Sequence, residues 1–260
     1  MTHANDIIKI KNLKTSFNGN WVHKGIDLTI QRGEIIGIVG GSGSGKTTLL
    51  REILGLTRPT SGSIKVFDHE LTTATPDVLL SIQQRWGVLF QQDALFSSLT
   101  LLENVSFPLL EHTNLDDQTI QSLALLKILL AGLSSDAAIK YPAELSGGMQ
   151  KRAGIARAMV LDPELLFLDE PTAGLDPNTA AGFDELILNL QETMGLTIVV
   201  VTHDLDTLWR VTDRVAFLGE GKVLCVEAMP DLVKNPHPLI QEFFAGPRGK
   251  ILINNYSEEK

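Results

Sequence analysis

The sequence predicts an α/β fold built on a mostly parallel sheet, with an N-terminal antiparallel β region and an inserted helical subdomain. Three observations carry this. Short, branched, apolar runs at 35–39, 165–168 and 197–201 have the length and composition of buried strands. Helical periodicity separates them, with Leu49/Ile53 and Leu50/Leu54 repeating within 47–54 and a second helical pattern over 178–193. Strands alternating with helices imply a parallel sheet covered on both faces. Finally, the stretch from about Gln92 to Val160 reads mainly as helix and loop, including a long periodic segment at 118–133.

In chain order, residues 7–30 alternate β-rich segments with the turn residues Asn18, Gly19 and Asn20, which predicts the antiparallel region and ends it at Arg32-Gly33. The run at 35–39 then leads through glycines into the helix at 47–54. Beyond Asp213, two short β segments, 215–218 and 222–226, flank the turn Gly219-Glu220-Gly221. The expected division is a sheet domain from 1–91 and 161–245, a helical subdomain at 92–160, and a polar, loosely held tail at 246–260.

Composition narrows the function classes. With 260 residues and 43% apolar side chains the chain has ample material for a core. Its 31 acidic against 22 basic residues, net −9, argue against a broad electrostatic grip on nucleic acid, so no nucleic-acid partner is expected. The single cysteine, Cys225, leaves no internal disulfide or cysteine metal cage, and points to a reducing compartment. Residues 1–14 lack the apolar core of a secretory signal, and the longest apolar stretches fall short of a bilayer span. A membrane role is therefore expected to run through docking to other proteins.

The most informative motif is Gly40-Gly41-Ser42-Gly43-Ser44-Gly45-Lys46-Thr47, which matches G-x-x-x-x-G-K-[ST] between a strand and a helix. Glycines let backbone N–H groups turn inward around phosphate oxygens, and the helix N-terminus adds its positive dipole. Lys46 is placed to reach the β- and γ-phosphates and Thr47 to ligate Mg²⁺, while Thr48 belongs to the helix and is grouped with the nucleotide-binding residues. Asp169 and Glu170 end the apolar run at 165–168. Neighbouring strand-end carboxylates face differently, so one serves the metal shell while the other polarises an attacking water. His203 ends the run at 197–201, at the carboxyl edge where ligands bind in open α/β sheets. Leu145-Ser146-Gly147-Gly148-Met149 opens another helix with a serine and two glycines, a second N-terminus suited to an anion. A chain that already owns one cradle has most use for this second site against nucleotide held by another copy.

Together these motifs make the chain resemble the ATP-binding subunits of ABC transporters, over nearly its whole length. The resemblance implies a P-loop NTPase core, ATP and Mg²⁺ as cofactors, and a head-to-tail homodimer in which Ser146, Gly147 and Gly148 of one copy cap ATP on the P-loop of the other. It assigns Gln91 to the Q-loop and the metal shell, Asp169 to Mg²⁺, Glu170 and His203 to catalysis with Lys46 and Gln91, and Asp176 to the D-loop. It also implies an aromatic stacked on adenine, at Phe17 or alternatively Trp21. Met149 departs from the common signature, which has glutamine there.

A narrower resemblance, carried by LSGGM, by residues 88–112 and by 237–247, is to the ATPase subunits of bacterial Mla-type phospholipid transporters. It implies integral membrane permease subunits, an MCE-domain lipid-binding ring, a small STAS-type regulatory subunit, and a place on the cytoplasmic face of the inner membrane. Importers of amino acids or metals, and ABC ATPases acting on nucleic acid or ribosomes, are the alternatives. Leu95, Phe96, Leu101 and Leu102 are expected to line a groove for a permease helix, or else to pack inside the helical subdomain. The tail at 246–260 is expected either to clasp a neighbouring subunit or to be loose polymer.

Overall fold

The computed structural model describes residues 5–91 and 95–246, so the expected tail, apart from Gly246, lies outside the described residues. The chain divides into two compact units, Met1–Ile82 with Val199–Lys260, and Gln83–Ile198. Ten strands are present: β1 (Asp6–Phe17), β2 (Asn20–Gln31), β3 (Ile35–Gly40), β4 (Ser61–Val66), β5 (His69–Glu70), β6 (Trp86–Leu89), β7 (Leu165–Asp169), β8 (Thr197–Val201), β9 (Arg214–Gly219) and β10 (Lys222–Glu227) among the described residues. One sheet is antiparallel, in the order β2-β1-β4-β5. The other runs β10-β9-β3-β8-β7-β6, with β3/β9 and β6/β7 parallel and β9/β10 antiparallel. The helices are α1 (Lys46–Ile53), α2 (Pro76–Gln83), α3 (Leu101–His112), α4 (Asp117–Leu130), α5 (Gly147–Ala158), α6 (Pro177–Met194), α7 (Leu205–Val211), α8 (Met229–Leu232) and α9 (Pro238–Phe244). Among the described residues no helix is long and apolar enough to cross a membrane.

In the first unit the β1–β2 hairpin turns through Asn18 (φ 51°) and Gly19 (φ 82°), a two-residue loop whose twist suits the paired strands. β3 is buried at every position, as its uninterrupted apolar run requires. Val39 joins Leu208, Val215, Phe217, Met229, Leu232, Ile240 and Phe244 in one core cluster, so the strand feeding the phosphate cradle is gripped by α7, α8 and α9.

The second unit contains the helices around the signature sequence. α3 opens on a capping box, with Thr100 accepting from the Glu103 N–H and the Glu103 carboxylate accepting from the Thr100 N–H. Buried Asn104 ties the preceding loop together, accepting from the Phe96 N–H and donating to the carbonyls of Phe96, Leu99 and Thr100. α5 is fastened on two sides by Arg152, which donates to the carbonyls of Ala131 and Gly182.

Of the two placements expected for Leu101 and Leu102, each residue takes a different one. Leu101 does not line a surface groove: it is wholly buried at the first position of α3, and its N–H donates to the Lys140 carbonyl. Burying a leucine of this kind is worth about 1.5–3 kcal/mol, so a charge at position 101 unfolds the helix start before it tests any docking. Phe96 is nearly half exposed and packs against Phe107 with ring centroids 5.0 Å apart. Leu102 does line a groove of about 400 Å³, together with Leu99, Phe107, Leu110 and Ile120.

Candidate active site

The cradle forms because β3 ends on a residue that only glycine can be. Gly40 has φ 150°, and a Cβ there would lie 2.3 Å from the Leu218 carbonyl oxygen and 2.8 Å from Ser44 Oγ. The chain then turns on a Ser44 N–H to Gly41 carbonyl bond of 3.2 Å and enters α1 at Gly45, whose helix start has no side-chain cap. Lys46 folds back over its own loop, donating to the carbonyls of Gly40 (2.8 Å) and Gly41 (3.1 Å). A phosphate oxygen, itself charged, is a stronger acceptor for this ammonium than either carbonyl. Ser44 Oγ is buried with no hydrogen-bond partner among the described residues, an orphaned donor inside the loop. Thr47 is exposed and Thr48 half-buried. The residues fit a bound polyphosphate: a glycine-rich loop, an ammonium folded over it, the unpartnered Ser44 hydroxyl and the exposed Thr47.

Beside the loop lies a cavity of about 520 Å³ lined by Trp21, Val22, Gly41, Ser42, Gly43 and Ser44 on one side and by Glu220 and Phe243 among others. Of the two aromatic candidates for adenine, Trp21 lines this cavity and Phe17 does not. Phe17 sits nearly half exposed at the end of β1. His203 follows β8 as an exposed residue, next to a turn in which the Asp204 N–H donates to Thr202 Oγ1 and Asp204 in turn caps α7.

In the second unit β7 delivers Asp169 at its last position and Glu170 directly after it. Glu170 has φ 50°, an uncommon conformation for a glutamate, which turns its side chain out of the strand's alternation. Its carbonyl accepts from the Ala173 N–H and closes the following turn. Gln91 is exposed, and its carbonyl accepts from Lys151 Nζ at 2.7 Å. Ser146 is the N-cap of α5, accepting from the Met149 N–H, while Gln150 steadies the entry by donating to the carbonyls of Pro142 and Leu145. Met149 is half-buried. Asp176 is committed to its own helix: it accepts from the N–H groups of Asn178 and Thr179 and from the Thr179 hydroxyl. The Thr179 hydroxyl, and then the Thr179 N–H, hold the Asp176 carboxyl below the usual carboxylate range.

Two residues of this unit were absent from the sequence-based site. Lys151 is buried yet fastens the signature helix to the Gln91 backbone, and between Gln150 and Arg152 in the sequence it reads as one more polar helix position. Thr179 touches both Gly148, whose Cβ would lie 2.5 Å from Thr179 Cγ2, and the Asp176 carboxylate. It thereby links the signature to the D-loop.

Cradle, acidic strand end and serine-capped helix are the parts of an ATP-binding cassette, and that is the class of protein the fold defines. Residues 23–173 match the family model described as ABC transporter. The chain is 37% identical over 254 residues to the probable ribonucleotide transport ATP-binding protein mkl of Mycobacterium tuberculosis, covering 97% of this chain and 70% of that one. It is 41% identical over 241 residues to the methionine import ATP-binding protein MetN of Carboxydothermus hydrogenoformans, covering 91% and 71%. Among solved structures, the ATP-binding cassette MJ0796 in a dimeric post-hydrolysis state bound to ADP and Pi superimposes with a TM-score of 0.78 at 34% identity, over 85% of this chain and 98% of that one. The chain belongs to the ABC transporter ATP-binding family, and it is an ATPase that uses ATP and Mg²⁺.

Proposed function

We propose that this chain is the ATPase subunit of a phospholipid transporter, working as a homodimer on the cytoplasmic face of an inner membrane and moving lipid between the inner and outer membranes of a Gram-negative-type envelope. The observation that carries the catalytic part is the pairing within one chain of a phosphate cradle at 40–47 with a serine-capped α5 that the cradle's own chemistry does not need. Two copies arranged head to tail use both. In that arrangement Glu170 accepts a proton from the attacking water, Lys46 and the loop N–H groups stabilise the transferring phosphoryl group, and Ser146 of the partner subunit completes the enclosure. Mg²⁺, when bound, neutralises charge on the phosphate oxygens, with Thr47, Gln91 and Asp169 as its protein partners. Gly40 to Thr48, Gly147, Gly148 and Asp176 bind or frame the nucleotide, with Phe17 or Trp21 on the adenine, and His203 orients the γ-phosphate end. Residues 92–160 act as the signature-bearing helical subdomain, and 1–91 with 161–245 as the nucleotide-binding core.

Support for the lipid cargo comes from LSGGM and from the stretches 88–112 and 237–247, which also suggest permease, MCE-domain and STAS-type partners. The groove lined by Leu99, Leu102 and Phe107 suits an amphipathic permease helix. A second reading, an importer of an amino acid such as methionine, is favoured by the 41% identity to MetN. The two named relatives differ in cargo at similar identity, as expected when cargo never touches the nucleotide site. Mass spectrometry of the complex purified through a tag on this subunit separates the readings. Co-purification of an MCE-domain protein, a permease and phospholipid supports the first. Recovery of a solute-binding protein with a different permease replaces it with the second.

A further inference from the structure

Behind the phosphate cradle, in the first unit, lies a polar triad that the site described above does not use. His23 on β2, Glu52 on α1 and Thr15 on β1 are 0%, 1% and 1% exposed. His23 Nδ1 lies 3.0 Å from Glu52 Oε2, and the Thr15 hydroxyl donates to Glu52 Oε1. On its other edge His23 Nε2 lies 3.2 Å from the carbonyl oxygen of Gly45, the residue just before Lys46.

Chemistry fixes the hydrogens. A carbonyl oxygen only accepts, so the Nε2 that faces it carries a hydrogen. Nδ1 and Glu52 Oε2 have no hydrogen-bond partner among the described residues outside their mutual approach. They therefore share one proton, as imidazolium with carboxylate or as neutral ring with carboxylic acid. Both forms are neutral overall, whereas adding or removing a proton leaves a lone charge where no water reaches. In either form Nε2–H donates to Gly45.

That donation has a consequence for the cradle. In a planar trans peptide the carbonyl and the following N–H point to opposite sides. The Gly45 carbonyl is held twice, by His23 and by the Leu49 N–H at 2.8 Å, so the Lys46 N–H is aimed the other way, out of the helix start. The fit is close: a Cβ on Gly45 would lie 2.5 Å from His23 Nε2 and 2.8 Å from Val22 Cγ1. With no side-chain cap on α1, the histidine takes over the task of setting its first peptide.

We propose that His23, held by Glu52 and Thr15, is a positioning residue that sets the Gly45–Lys46 peptide for phosphate binding, so that nucleotide affinity depends on a buried pair behind the site. The proposal rests on the reading of residues 40–47 as the cradle. The test measures the Kd of a fluorescent ATP analogue with Mg²⁺, and the melting temperature, on the full chain. Replacing the triad by apolar groups (Thr15→Val, His23→Leu and Glu52→Leu together) leaves no buried charge, so the fold is expected to survive while affinity falls about tenfold. Glu52→Gln keeps the geometry, its amide donating to Nδ1 of a neutral ring, and is expected to bind within about twofold of wild type. A folded triple variant with wild-type affinity, or a Glu52→Gln variant as weak as the triple, overturns the proposal. Lys46→Ala is the control: retained affinity there overturns the cradle reading itself. Should the triple variant not fold, imidazole ¹⁵N NMR of the wild-type chain decides, with a hydrogen on Nε2 of His23 supporting the proposal and a bare Nε2 overturning it.

Discussion

Alanine at Gly148 tests whether the signature and the D-loop are one mechanical unit. A Cβ at that position would lie 2.5 Å from Thr179 Cγ2, and its next neighbour is 3.9 Å away, so a single methyl carries the whole conflict. Thr179 cannot simply rotate away, because its hydroxyl donates to Asp176 at 2.5 Å and a new rotamer breaks that bond. Overpacking of this size costs about 2 kcal/mol, which for a chain of this length lowers the melting temperature by about 5 °C. Thr179→Ser removes the offending methyl and keeps the hydroxyl. The double variant Gly148→Ala/Thr179→Ser is therefore expected to recover most of the stability in thermal or urea melts, and to recover ATPase activity with it. A double variant no more stable than Gly148→Ala alone would show that the Thr179 methyl is not what the added Cβ meets.

Three further measurements bear on Glu170, Asp176 and Cys225. Glu170→Gln is expected to lower ATP turnover by about a hundredfold or more while leaving nucleotide affinity near wild type, measured by phosphate release and analogue titration. Asp176 has a folded pKa held below its ordinary value by Thr179, so its stabilising contribution is complete above the ordinary aspartate range and is lost as pH falls through the folded value. The stability gap between wild type and Asp176→Asn should accordingly be present at neutral pH and close below about pH 4. Cys225, whose thiol is pushed up to about 11 by burial and then by Glu227, should alkylate about a hundredfold more slowly at pH 8 than an ordinary thiol, read by intact-mass spectrometry.

Much of the fold was legible because its signals are local. The runs at 35–39, 165–168 and 197–201 are branched and apolar, and they became β3, β7 and β8. Asn18-Gly19 marked the first hairpin, and the glycine-rich loop announced its own strand and helix. Less was legible where short elements carry little pattern: β5 has two residues and β6 four. The place of Leu101, groove or interior, stayed open in the sequence because a helix start marked by Thr100 and Glu103 tells nothing about which face meets the core, and that face is set by partners far along the chain such as Lys140. The same limit hid Lys151 behind Gln91, 60 residues away, and His23 behind Gly45 and Glu52. Spacing along a sequence carries periodicity, while buried polar partnerships across tens of residues leave no periodic trace.

If ATP is hydrolysed in sites built from two copies of this chain, two inactive variants should complement each other when mixed. Lys46→Ala disables the cradle and Ser146→Arg blocks the signature, so each alone should be inactive. In a mixed dimer the intact Lys46 of one copy meets the intact Ser146 of the other, restoring one site in two. An equal mixture, with half of its dimers mixed, is therefore predicted to recover about a quarter of wild-type ATPase activity. A mixture as inactive as its components, or a Ser146→Arg variant fully active by itself, would mean that each copy hydrolyses ATP without its partner's signature.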